Sequence, residues 1–284
     1  DSFECGGNGF TAFWRGHSAL GRREYVTETF SLLPKSYQQQ HPASLLLSSS
    51  SSSSSSSAAT AAAAAAAVAP VELPREDPRL WTVSNIRNAL PAASCTAMIE
   101  AAEACAAAAA KAAGGAPGSG WTTSRHGVYN STTDIPVGLS AALLALVNQA
   151  AKEVLFPAMA RAFGFLTSEL WMQDCFVARY DMAGQRSLRP HLDGSDLSFV
   201  CALNQDFEGG GTLFLLPEGH EDVLVRQRGI GDIWMFCGQH WHSGVSITSG
   251  TRYILAGLVR IHTHDPGKQN AVRRIRRGFK ATVR

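Results

Sequence analysis

Two hydrophobic periods divide the chain, a helical one before residue 170 and an alternating one after it. Upstream, residues 81–86 read as an opening strand. Ser94 or Thr96 offers an N-cap for a helix that runs through Met98, Ile99 and an alanine stretch to Gly114 and Gly115, which terminate it. Pro136 suits the first turn of a second helix, in which Leu139, Leu143, Leu146, Val147, Ala150, Val154 and Leu155 recur three or four apart on one face. Pro157 opens a further helical piece that ends near Gly164. Downstream, strands are expected over 175–180, 189–193, 197–204, 212–216, 223–227, 232–236, 242–247 and 251–259, punctuated by Gly209, Gly210 and Gly211 and by a turn at 228–231. Eight short antiparallel strands are the count of a jelly roll, whose interior can hold a small ligand. The expected class is mainly β with flanking helices (α+β).

Composition adds boundaries to this picture. Ser48 to Ser57 is an unbroken serine tract followed by alanines as far as Ala67, a run that buries too little to offset the entropy of ordering it. Residues 1–70 are therefore expected to be a disordered low-complexity segment. A helical support region over 71–170, a β core over 171–262 and a basic tail over 263–284 follow. From Lys268 to the end the sequence carries seven basic residues (Lys268, Arg273, Arg274, Arg276, Arg277, Lys280 and Arg284) and no acid, so the net charge of +2 conceals a mildly acidic body. A solvated tail is the expectation. The six cysteines are scattered singly and indicate neither a zinc site nor a disulfide framework. The apolar run at 58–69 is shorter than the roughly 18 residues a membrane span requires, so no span is expected. The chain opens on Asp1 and its first methionine is Met98, which implies a start upstream and leaves localisation open.

Within the alternating half, His191 and Asp193 stand two residues apart, so on an extended strand both side chains leave the same face. His242 follows much later, and Arg252 comes ten residues after it. Two histidines and one carboxylate make the ligand set that leaves positions open on one side of a non-haem Fe(II). Arg252 alternates with Ile254, Ala256 and Leu258, an apolar face, so it should point inward, where its permanently charged fork can grip a carboxylate. His240 faces the same way as His242 and competes with it; the spacing to Gly244 and Arg252 selects His242. His126, His220, His262 and His264 have no partner spacing and read as surface residues. Asn130, Ser131 and Thr132 form a glycosylation sequon, relevant only to a secreted chain.

The ordered set Phe176-Val-Ala-Arg-Tyr180, His191-Leu-Asp193, Leu197-Ser-Phe199, Gly209-Gly-Gly-Thr212, Gly231-Asp-Ile-Trp-Met-Phe236, His242-Ser-Gly244 and Gly250-Thr-Arg-Tyr-Ile-Leu255 resembles the catalytic domain of the Fe(II)- and 2-oxoglutarate-dependent dioxygenases, in the prolyl 4-hydroxylase branch. The resemblance covers 170–259 well and 81–164 more loosely. It implies a double-stranded β-helix (jelly roll) core behind an N-terminal helical support layer. It also implies Fe(II) held by His191, Asp193 and His242, and 2-oxoglutarate chelating the metal with its distal carboxylate on Arg252. Tyr180 and Thr212 would supply hydroxyl donors to the co-substrate, O2 would be the oxidant and ascorbate the reductant. The activity implied is hydroxylation of an unactivated C–H in a prolyl or other peptidyl residue, or in a small molecule, with release of succinate and CO2.

This chain departs from the better-known peptide hydroxylases of that branch. Arg252 stands where the collagen-type enzymes have lysine, Ala202 where the oxygen-sensing ones have tyrosine, and the short link from Asp193 to Leu197 leaves little room for a substrate lid there. A carboxylate at position 193 argues against a halogenase. Two readings from other classes compete: a jelly-roll binding module without catalysis, which a missing ligand would favour, and an oxidative nucleic-acid demethylase using the basic tail. Substrate choice should lie in the loops at 183–188, 206–208 and 217–222.

Overall fold

The computed structural model describes residues 27–32, 82–116, 118–126, 131–216 and 221–277. The serine and alanine tract, Trp81, Asn130 of the sequon, His220 and the last residues of the basic tail lie outside the described residues. Twelve strands are described: β1 (Thr27–Ser31), β2 (Thr82–Ile86), β3 (Asp134–Pro136), β4 (Leu170–Asp181), β5 (Leu188–His191), β6 (Leu197–Ala202), β7 (Phe207–Gly209), β8 (Thr212–Phe214), β9 (Val223–Val225), β10 (Ile233–Cys237), β11 (His242–Gly244) and β12 (Ile247–Ile261). Among the described residues there are four α-helices, α1 (Ala92–Ala112), α2 (Ala141–Ala150), α3 (Phe156–Phe163) and α4 (Pro266–Arg277).

The eight strands expected from the alternating pattern divide equally between two sheets. One runs β10-β6-β12-β4 within the larger order β1-β2-β10-β6-β12-β4-β3, and the other is β5-β11-β8-β9. Every pairing is antiparallel, and β12 alone carries a ladder of partners from Thr251↔Asp181 to Ile261↔Leu170 on one side and Ile254↔Ala202 to Val259↔Leu197 on the other. Strand β6 is buried at all six positions, which is why it reads as an unbroken apolar run. This is the double-stranded β-helix core. Phe207 and Glu208, expected in a loop at 206–208, instead lie in β7, which pairs with the start of β12.

The helical layer differs from the sequence pattern at its boundaries. Helix α1 begins at Ala92 after Pro91 and has no side-chain cap, so neither Ser94 nor Thr96 plays that part; Pro91 ends the extended segment and its carbonyl accepts from the amides of Ser94 and Cys95. Cys95, Met98, Ala102, Ala106 and Ala110 form its buried stripe. The small side chains let the chain at Gly120 come so close that a Cβ there would stand 1.8 Å from the Ala106 carbonyl oxygen. Pro136 belongs not to a helix but to β3, an edge strand where its missing N–H is tolerated. Helix α2 starts five residues later with Ser140 as its cap, Oγ accepting from the Leu143 amide at 3.2 Å. Leu139, left in the intervening turn, is 62 % exposed, whereas Leu143, Val147, Ala150, Val154 and Leu155 are buried as the period requires. Residues Ala151–Leu155 form a π turn joining α2 to α3. Pro157 cannot bond back to the carbonyl four residues earlier, and one slipped turn absorbs the defect. Gly164 ends α3 in the left-handed conformation, φ +76.

The basic tail is not simply solvated. Residues Pro266–Arg277 form α4, which buries Val272 and Ile275 against the core and places Arg276 on the buried Asp196. Among the described residues no helix is long and apolar enough to cross a membrane.

Candidate metal centre

His191 ends β5 and His242 begins β11, and the two strands pair with these residues directly opposite each other. The imidazole centroids are 4.3 Å apart. Asp193 is not on the strand, contrary to the simplest reading of the spacing. The ladder stops at His191, and Asp193 lies in the following turn, fixed by its amide donating to the Gly238 carbonyl at 3.0 Å. The turn brings its carboxylate between the rings: Oδ1 lies 3.3 Å from His191 Nε2 and 3.5 Å from His242 Nε2. One donor atom from each of the three residues lies within 4.8 Å of the others.

Both imidazoles are oriented by main-chain acceptors that the sequence did not reveal. His191 Nδ1 donates to the Arg189 carbonyl at 2.8 Å, and His242 Nδ1 donates to the His240 carbonyl at 2.8 Å. Each therefore turns its Nε2 toward Asp193. His240 thus acts through its backbone, while its side chain stands outside the cluster. Burial alone would raise the Asp193 carboxyl, but His242 and His191 beside it hold it far below the usual carboxylate range. Burial likewise works against charge on His242, and Asp193 outweighs it and raises the imidazole. Phe236 and Phe214 pack on His242 at 4.9 and 5.9 Å between centroids and limit its motion.

The three residues line a cavity of about 220 Å³ between the two sheets. Tyr180, Thr212, Arg252, Ile254, Ala256 and Leu258 line it too, so the alternation read along β12 describes its inward face. Arg252 is 1 % exposed, and its guanidinium lies 5.3 Å from the Tyr180 ring and 5.9 Å from the Phe207 ring. Its hydrogen bond is from Nη2 to Gln227 Oε1 at 3.3 Å, and its Nε has no partner. Burial lowers this guanidinium from its ordinary value and raises the Tyr180 phenol, yet an arginine retains its charge. Among the described residues no carboxylate stands beside this guanidinium, and a buried cation facing a cavity is costly unless an anion arrives. The donor set N, N, O fits a divalent non-haem metal, and the orphaned arginine fits an acidic co-substrate.

His126, expected at the surface, also lines this cavity, with its ring 4.9 Å from that of Phe176 and Nε2 3.7 Å from Asp134 Oδ2. Arg125 beside it bridges Asp134 and Asp174 and holds the segment against the sheet. His262 and His264 are exposed.

No family model matches the chain. Over 89 residues it is 39 % identical to the multifunctional procollagen lysine hydroxylase and glycosyltransferase of Caenorhabditis elegans, covering 30 % of this chain and 12 % of that protein. Over 114 residues it is 33 % identical to human procollagen-lysine,2-oxoglutarate 5-dioxygenase 2, covering 38 % of this chain and 15 % of that protein. The chain thus matches only a small part of these curated relatives. Similar solved structures include the non-heme alpha ketoglutarate dependent carbocyclase SnoK from nogalamycin biosynthesis, with TM-score 0.48 and 14 % identity over 66 % of this chain and 85 % of that one. A Pseudomonas putida prolyl-4-hydroxylase has TM-score 0.42 and 19 % identity over 64 % of this chain and 93 % of that one.

Proposed function

Given that this chain is a relative of the 2-oxoglutarate-dependent dioxygenases, we propose that it binds Fe(II) and 2-oxoglutarate and hydroxylates an unactivated C–H of a peptidyl residue. The observation that carries the reading is the coincidence, in one cavity, of the His191, Asp193 and His242 cluster with the buried Arg252 that has no carboxylate beside it. His191 and His242 would hold the metal through Nε2 and Asp193 through its carboxylate. Fe(II), 2-oxoglutarate and O2 together supply an oxidant strong enough for an unactivated C–H, and succinate and CO2 are the by-products.

The chain's own residues supply position and environment. The Arg189 and His240 carbonyls set the two imidazole tautomers. Arg252 binds the distal carboxylate of the co-substrate, and the Tyr180 and Thr212 hydroxyls donate to its oxygens. The apolar side chains of Ile254, Leu188, Phe236 and Leu258 exclude water from the reacting centre. Ascorbate would be the external reductant, as the family resemblance implies. Helices α1 to α3 support the major sheet from outside, and α4 completes the domain beyond residue 262. The preferred substrate is a peptide carrying a lysyl residue, the target of the procollagen-lysine relatives, or a prolyl one, the target that the sequence resemblance implies.

Anaerobic addition of 2-oxoglutarate to the Fe(II)-loaded chain should produce the visible charge-transfer band of the chelate. The band should vanish in His242→Ala and persist in His240→Ala. A folded protein that takes up neither metal nor 2-oxoglutarate would overturn the reading. With the band in hand, release of CO2 stimulated by lysyl peptides, prolyl peptides or neither identifies the substrate.

A further inference from the structure

We propose that Gln227 is a positioning residue for the co-substrate, its side-chain oxygen aiming the Arg252 guanidinium into the cavity without cancelling its charge. The inference rests on the reading that this cavity takes 2-oxoglutarate. Gln227 lies just past β9, a minor-sheet strand whose Val225 pairs with Thr212 at the cavity wall. Arg226 Nε donates to the Gly210 carbonyl at 3.5 Å, which draws this segment toward the glycine turn. The backbone of Gly210 lies against Arg252: a Cβ there would stand 3.3 Å from Cδ and 3.5 Å from Nε. Gly210, the rings of Tyr180 and Phe207 and the Gln227 oxygen therefore surround one guanidinium.

An amide is the side chain that this position demands. A carboxylate at 227 would close a buried ion pair with Arg252 and compete with an incoming dicarboxylate. An aliphatic group would leave another arginine donor without an acceptor. The glutamine satisfies one donor, fixes the fork and leaves the positive charge for a ligand. Its own Nε2 is buried without a partner, as is Arg252 Nε, so the pair is short of acceptors and not of donors.

The test compares the wild-type chain with Gln227→Glu and Gln227→Ala. Each Fe(II)-loaded protein is titrated anaerobically with 2-oxoglutarate and with 2-oxobutyrate, which keeps the chelating 2-oxo acid but lacks the distal carboxylate. Thermal unfolding of the metal-free proteins is measured alongside. Gln227→Glu should weaken 2-oxoglutarate binding by about tenfold or more, leave 2-oxobutyrate binding unchanged and raise the metal-free melting temperature. Gln227→Ala should weaken 2-oxoglutarate selectively but less, by roughly two- to fivefold. Equal losses for both acids, or unchanged 2-oxoglutarate affinity in both variants, would overturn the inference while wild-type binding keeps the functional reading intact. A wild type that binds the metal but neither acid would instead defeat the functional reading, and this inference with it.

Discussion

Arg276 grips Asp196 through two parallel hydrogen bonds of 2.9 Å, Nε to Oδ1 and Nη2 to Oδ2. Asp196 is wholly buried and also accepts from the Ile261 amide at 2.8 Å and from Arg260 Nη1 at 3.3 Å. It lies three residues after Asp193 in the same short link, so the C-terminal helix holds the turn that carries a candidate metal ligand. Arg276→Ala should destabilise the fold by about 1–2 kcal/mol, less than a fully buried pair because the arginine is half exposed. Arg276→Lys should recover only part of this, since lysine lacks the fork. Urea denaturation of the metal-free proteins measures both, and an unchanged midpoint for Arg276→Ala would show that the grip is idle.

Removing the carboxylate from the cluster tests the centre itself. Asp193→Ala should lower Fe(II) affinity by at least about a hundredfold in an anaerobic titration, because the two imidazoles alone are a poor cage for a hard divalent ion. Affinity equal to wild type would place the metal elsewhere.

Arg252 should be a residue kept at the expense of stability. Arg252→Met replaces a buried cation with an apolar chain of similar length, so the metal-free protein should be as stable as wild type or more stable by about 1 kcal/mol. Binding of 2-oxoglutarate should fall by roughly a hundredfold in the same protein. Calorimetry and equilibrium titration separate the two effects.

Gly231 is a position where backbone geometry is unforgiving. Its φ is +79, and a Cβ would stand 2.0 Å from the Leu90 carbonyl oxygen, against backbone that already donates from Ala89 and Leu90 to the Gly231 carbonyl. Gly231→Ala should cost about 3 kcal/mol or more, read from the urea midpoint.

Acid should loosen the C-terminal helix through Glu169. Burial tends to raise this carboxyl, but Thr263, the Leu166 amide and Lys268 outweigh it and hold it below its ordinary value. A folded-state value below the unfolded one means stability that is present above the unfolded pKa, near 4.3, and is lost as pH falls through the lower folded value. The melting temperature of Glu169→Gln should therefore fall less than that of wild type as pH drops below about 4.3. Parallel curves for the two proteins would refute the assignment.

What the sequence determined by itself was whatever depends on neighbours along the chain. Side-chain alternation is a local property of a strand, so the inward face of β12 with Arg252, Ile254, Ala256 and Leu258 was legible, as were the eight core strands and the buried face of α2. That His191, Asp193 and His242 belong to one candidate site was expected from their residue types and the family resemblance; the strand pairing that sets the two histidines opposite each other was not. Tertiary structure alone decided the rest. Asp193 reaches the imidazoles from a turn held by Gly238, where strand periodicity no longer applies. Pro136 became an edge-strand residue because β4 offered a partner, and capping preference gave way to that pairing. The half of the basic tail that is described is docked because Val272, Ile275 and Arg276 find an apolar surface and a buried carboxylate contributed from far away in the chain. Gln227 and His126 carry no local signal, since a lone glutamine or histidine acquires a role only from the cavity that folding closes around it.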